Sequence, residues 1–146
     1  MTTVAEILGS KSSTQVHTVT PADSVLHALQ LMARQGIGAL LVMEGDRIAG
    51  IFTERDYARK VALQGRTSGD TSVRDVMTSA VRFVRPGQST EHCMAVMTEN
   101  RLRHLPVVDE AGELAGIVSI GDLVKQIMSE QQFIIEQMEQ YITGRA

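Results

Sequence analysis

The chain is nearly without aromatic residues: 146 positions hold no Trp, two Tyr and three Phe. Binding of single-stranded nucleic acid leans on aromatic stacking platforms, so that class is set aside. A basic excess is also missing. Fourteen Lys and Arg face 17 Asp and Glu, for a net charge of −3, which lacks the electrostatic footprint of a nucleic-acid partner. Cys93 is the only cysteine, so no intrachain disulfide can form. It falls on the apolar face of an expected helix and reads as a small buried hydrophobe. No apolar run approaches the roughly 18 residues of a membrane span. The first residues lack the charged lead and apolar stretch of a signal peptide, so the chain is expected to be cytoplasmic, with no membrane partner. The four histidines, His17, His27, His92 and His104, have no close ligand spacing, and no metal site is expected.

What the chain does have is a second copy of itself. Residues 16–61 recur over residues 81–127, with Pro21/Pro86, Ser24/Ser89, His27/His92, Met32/Met97, Gly50/Gly116, Ile51/Ile117 and Asp56/Asp122 identical. The offset is 65 positions up to Val42/Val107 and 66 from Ala49/Ala115 onward, after one extra residue in the second turn. A repeat on this scale predicts a tandem of two small units. Each is marginal alone, while a pair can share a core and enclose a cleft with two quasi-equivalent sites. An apolar content of 43% is enough for that core.

The pattern within each copy predicts its elements. A short lead-in helix over residues 3–8 reappears at 72–77. Strands are expected at 16–19 and 81–84, each closed by a proline that cannot donate to a ladder. Ser24 and Ser89 are N-cap candidates for the next helix, whose apolar face carries Ala28 and Met32 in one copy and Cys93 and Met97 in the other. Continuous apolar runs at 39–43 and 105–108 predict buried strands, and Gly- and Asp-bearing turns lead to return strands at 48–52 and 114–118. A further helix starts at Thr53 and at Ser119. The result is an α+β fold, a tandem repeat of two β-α-β-β-α units packed as a pseudo-two-fold pair, with a C-terminal helical extension. The expected division is residues 1–71 for the first repeat, including a polar linker at 65–71, then 72–128 for the second and 129–146 for a helical tail. The last helix is expected to run from about 120 to 142. Its stripe of Ile127, Ile134, Met138 and Tyr141 needs a cover, either its own body or a second subunit.

The sharpest local motif is Gly-Ile-Phe-Thr-Glu-Arg-Asp at 50–56 against Gly-Ile-Val-Ser-Ile-Gly-Asp at 116–122. Each ends a buried strand with a hydroxyl residue and places an acid three positions later. One reading is structural: a capping box in which hydroxyl and carboxylate satisfy the first N–H groups of the helix. The other is functional. A helix N-terminus draws phosphate, a hydroxyl can donate to a phosphate oxygen, and a carboxylate can accept from both hydroxyls of a ribose.

With its duplicated lead-in helix, its β-α-β-β-α order, Leu-Pro-Val-Val at 105–108 and Gly-h-h-Ser/Thr-x-x-Asp in both copies, the chain resembles the cystathionine-β-synthase (CBS) domain family. The resemblance covers residues 4 to about 127 and identifies a stand-alone CBS pair, or Bateman module. It implies a regulatory, signal-transducing role and an adenosine-containing ligand in the cleft between the repeats: AMP first, NAD(H) second, with ATP, ADP or S-adenosylmethionine also open. It implies that Thr53, Arg55 and Asp56 join Val81, Arg82, Leu102, Arg103, His104 and Pro106 in one site. Ser119, Gly121 and Asp122 join Val16, His17, Ile37, Gly38 and Ala39 in the other. Adenine would lie between first-strand residues and the stretch before the second strand, and the Asp residues would hold ribose. Arg55, Arg82 and Arg103 make the Thr53 site the expected one for a phosphate-rich ligand. The first copy departs from Leu-Pro-Val with Leu40-Leu41-Val42. The resemblance also implies a homodimer of two side-by-side modules, regulating a protein the sequence does not name. The competing class is a protein-interaction or structural module without a ligand. An enzyme is not expected: no nucleophile–base set, P-loop or metal cluster is present, and no catalytic residues are assigned.

Overall fold

The computed structural model describes residues 2–11 and 15–143. The connection expected over 9–15 and the end of the tail fall partly outside these residues.

The first helix, α1, spans Val4–Ser10, with the Thr3 side chain accepting from the Glu6 N–H. Strand β1 is Thr18–Val19, and α2 is Val25–Gln35. The Ser24 hydroxyl oxygen accepts from the His27 N–H at 3.0 Å, the expected N-cap. Gly36 ends α2 in the left-handed region at φ 64°, where the missing Cβ removes the steric cost. Strands β2, Ala39–Glu44, and β3, Arg47–Thr53, form a hairpin with a register shift between Val42 and Met43. Helix α3, Glu54–Asp56, continues without a break into a π-helical stretch, Tyr57–Ala62. Then come α4, Val73–Val76, α5, Thr90–Asn100, the hairpin strands β4, His104–Val108, and β5, Leu114–Ser119, and finally α6, Ile120–Ile142. Arg101 closes α5 at φ 55°, the position Gly36 fills in the first copy. The long last helix has the expected bounds. Among the described residues no helix is long and apolar enough to cross a membrane.

One expected strand is missing. β1 pairs in parallel with β2 through Thr18↔Leu41 and Val19↔Val42. In the second copy only the bridge Val84↔Val107 forms. The lost pair would have matched Phe83 with Pro106, the equivalent of Leu41. Proline has no N–H to give a ladder, so the Leu-Pro-Val sequence reduces residues 81–84 to a single bridge.

The chain folds as two compact units that do not follow the sequence repeats. One is formed by residues 1–14, 84–107 and 116–146, the other by 15–83 and 108–115. The lead-in helices are exchanged. In the second unit Val73 and Val76 of α4 are buried with Val25, Met32, Leu40, Val42 and Phe52. In the first unit Val4 and Ile7 of α1 are buried with Cys93, Met97, Leu105, Val118 and Leu123. Each fully buried aliphatic side chain contributes about 1.5–3 kcal/mol, so two such residues anchor each short lead-in helix to its adopted core. Gly50 and Gly116 make room for them. A Cβ on Gly50 would lie 2.8 Å from the Thr78 carbonyl oxygen, and one on Gly116 would lie 2.9 Å from Leu8 Cδ2.

Candidate functional site

Two part-buried strands, β3 and β5, each end in a hydroxyl residue that becomes the N-cap of the next helix. Both corners are complete capping boxes. In the second unit the Thr53 hydroxyl oxygen accepts from the Asp56 N–H at 3.1 Å, and Asp56 Oδ2 accepts from the Thr53 N–H at 3.1 Å. In the first unit Ser119 Oγ accepts from the Asp122 N–H at 3.2 Å, and Asp122 Oδ2 from the Ser119 N–H at 2.8 Å. A second tie is also duplicated. The Glu54 N–H donates to the Gly38 carbonyl at 3.1 Å, and the Ile120 N–H to the Arg103 carbonyl at 2.9 Å. Two of the first three helix N–H groups are therefore engaged at each corner.

The two carboxylates differ in what remains to them. Asp56 is buried, with 8% of its surface exposed. Its Oδ2 also accepts from Thr53 Oγ1 at 3.2 Å, its Oδ1 accepts from Thr78 Oγ1 at 3.1 Å, and Lys60 Nζ lies 3.1 Å from Oδ1 in an ion pair. A carboxylate has about four lone-pair directions, and at Asp56 three hydrogen bonds and an ion pair occupy both oxygens. The Asp122 side chain is 22% exposed. Among the described residues its bonds, from the Ser119 N–H and from Lys11 Nζ at 3.0 Å, all go to Oδ2. The hydroxyls differ too. Thr53 spends its proton on Asp56, while Ser119 has no such bond among the described residues. Gly121 sits exposed beside this corner, and a Cβ there would meet only Ser119 Oγ, at 3.6 Å.

The other expected residues divide between the units. Thr53, Arg55, Asp56, Val81 and Arg82 lie in the second unit with Val16, His17, Ile37, Gly38 and Ala39. Ser119, Gly121 and Asp122 lie in the first with Leu102, Arg103, His104 and Pro106. Within the second unit Ala39 is buried with Leu41 and Ile51, and Val16 and Val81 pack on them. Arg55, Arg82 and Arg103 are exposed. Ile37, Gly38 and Glu54 share an open pocket of about 490 Å³ with Leu29, Met32, Ala33, Gly36 and Tyr57, inside the size range of small-molecule sites. Among the described residues no group of three or more His, Cys, Asp or Glu could hold a metal ion.

Sequence reasoning missed Lys60, Thr78 and Lys11. Lys60 stands four residues after Asp56, a helical spacing that could have been read. Thr78 and Lys11 reach the carboxylates from the exchanged lead-in segments and carry no local signal. Burial raises the thiol pKa of Cys93, as the reading of an inert buried cysteine requires.

Comparison with known proteins agrees with the duplicated architecture. The family model for the CBS domain matches residues 4–63 and 73–129. A mitochondrial CBS domain-containing protein of Arabidopsis thaliana is 37% identical over 151 aligned positions, covering 98% of this chain and 73% of that protein. The CBS domain-containing protein YhcV of Bacillus subtilis is 37% identical over 119 positions, covering 82% of this chain and 84% of its own length. Among solved structures, a putative signal-transduction protein with CBS domains from Burkholderia ambifaria superposes with a TM-score of 0.86 at 59% identity, covering 89% of this chain and 96% of that one.

Proposed function

Because the chain belongs to the CBS-domain family, whose paired repeats are regulatory modules that generally bind adenine nucleotides, we propose that it is an adenine-nucleotide sensor with AMP as its first ligand and NAD(H) as its second. The observation that carries this reading is the state of the Ser119–Asp122 corner. Asp122 Oδ1 takes no bond from the described residues, the carboxylate is part-exposed, and the Ser119 hydroxyl has a proton to give. A ribose diol needs a carboxylate with acceptor directions to spare, and a phosphate needs a donor. The Arg-based preference for the Thr53 corner gives way to this. At that corner the saturated Asp56 supports the second reading, a box that holds the helix start and binds nothing.

In this reading the chain performs no chemistry on its ligand. Binding shifts the population of packing states, and a partner protein reads the shift. That requires different affinity for the two states. Calorimetric titration with AMP, ATP, NAD and NADH tests the proposal, paired with thermal melts. At about 100 times the dissociation constant, linkage stabilises the fold by roughly 2.7 kcal/mol. The absence of both heat and melting shift with all four nucleotides would overturn it.

A further inference from the structure

In both units the capping-box carboxylate is touched by the chain that follows an exchanged lead-in helix. In the second unit Thr78 comes just after α4. It exchanges two backbone hydrogen bonds with Ile51, both 2.9 Å, and its hydroxyl donates to Asp56. In the first unit Lys11 caps α1. Its Nζ donates to the Ile117 carbonyl at 2.9 Å and to Asp122 Oδ2 at 3.0 Å. Ile51 and Ile117 are repeat equivalents, so the two segments deliver different groups to the same place: a neutral hydroxyl to one carboxylate, an ammonium to the other.

We propose that Lys11 sets the ligand preference of the Asp122 corner, favouring an adenosine ligand that carries phosphate over the bare nucleoside. The proposal rests on Asp122 being the ribose acceptor. A diol that grips the carboxylate with both hydroxyls needs acceptor directions on both oxygens. On Oδ2 those directions are held by the Ser119 N–H and Lys11. The backbone N–H is fixed by the capping box, so the lysine is the group that gives way. Its side chain is only 23% exposed, and an ammonium leaving its carboxylate there needs another anion. A phosphate supplies one. The lysine stem is flexible and its three donors make it a point-charge phosphate binder. Adenosine offers no such exchange. At the Thr53 corner the lead-in segment brings only the Thr78 hydroxyl, and the ammonium on Asp56 is that of Lys60, which comes from the following helical stretch and is 44% exposed.

The test is calorimetric titration of the full chain with AMP and with adenosine. It compares the native chain with K11M, which keeps the apolar stem, K11Q, a second neutral variant, K11R and D122A. The native chain should favour AMP at least tenfold. In K11M and K11Q the AMP affinity should fall about tenfold while that for adenosine holds or rises, bringing the ratio near one, and K11R should keep most of the preference. An unchanged ratio in either neutral variant that melts like the native chain, with D122A weakening both ligands, overturns the role of Lys11 alone. If D122A leaves both affinities unaltered, the ribose reading of Asp122 falls and the Lys11 proposal falls with it.

Discussion

Replacing Asp56 by Ala should cost far more stability than replacing Asp122, although the two are repeat equivalents. Asp56 loses a capping interaction worth about 0.5–2 kcal/mol. It also loses a hydrogen bond from the Thr78 hydroxyl to a buried carboxylate, for which about 1.5–3 kcal/mol is typical. The Lys60 pair adds only a few tenths, since that lysine side chain is 44% exposed and its charge is screened. The terms are not additive, and about 3 kcal/mol is the expected loss. At Asp122 the cap is equivalent, but among the described residues the carboxylate is bonded through Oδ2 alone, the ion pair is 22% and 23% exposed, and Lys11 Nζ keeps its bond to the Ile117 carbonyl. A loss of about 1–2 kcal/mol follows there. For a chain of this length 1 kcal/mol corresponds to about 2–4 °C in melting temperature, so Asp56→Ala should melt roughly 10 °C lower and Asp122→Ala a few degrees lower. Urea titrations of both variants in one buffer, with shared slope, give the free energies directly. Equal losses, or an Asp56→Ala chain as stable as the native one, would refute the argument that Asp56 is saturated and Asp122 is not.

Gly50→Ala should destabilise by about 1–3 kcal/mol, because its Cβ would strike the backbone carbonyl of Thr78, whereas Gly116→Ala meets only the mobile end of Leu8 and should cost less; paired urea melts check the order. Cys93 is 0% exposed with its pKa raised by burial, so a thiol reagent at pH 8 should leave the native chain unlabelled and modify it fully in denaturant; rapid native labelling would contradict its place in the core. Met128, Ile134, Met138 and Tyr141 are 58–85% exposed along α6, a run of large apolar side chains of the kind that marks interaction surfaces. A chain truncated after Ser129 should therefore sediment as a weaker dimer than the full chain. A full-length chain that is monomeric at micromolar concentration would remove that expectation.

The duplication made the order of elements legible, and cap residues set their ends: Ser24, Ser89, Thr53 and Ser119 all stand where the hydroxyl signal put them. What remained hidden depends on tertiary partners. Val4 and Ile7, like Val73 and Val76, mark a buried face but do not say against which core it is buried, and the exchange of the lead-in helices follows from the packing alone. The reduced strand at 81–84 could have been anticipated from Pro106, since the missing donor lies on its neighbour rather than on itself. The π-helical stretch after Asp56 has no periodic signature in so short a segment. At the site, both capping boxes were legible, whereas the difference between their carboxylates was not. It comes from Thr78 and Lys11, residues outside either motif, delivered by the exchanged segments.

The most direct test of the nucleotide reading is a crystal structure of the full chain grown with saturating AMP. The account predicts the ribose 2′- and 3′-hydroxyls within hydrogen-bond distance of the Asp122 carboxylate, with the phosphate close to Ser119 and Lys11 Nζ moved off Oδ2. A chain that shows no nucleotide under those conditions, or AMP bound with Asp122 still holding Lys11 and only the Ser119 N–H, would contradict it.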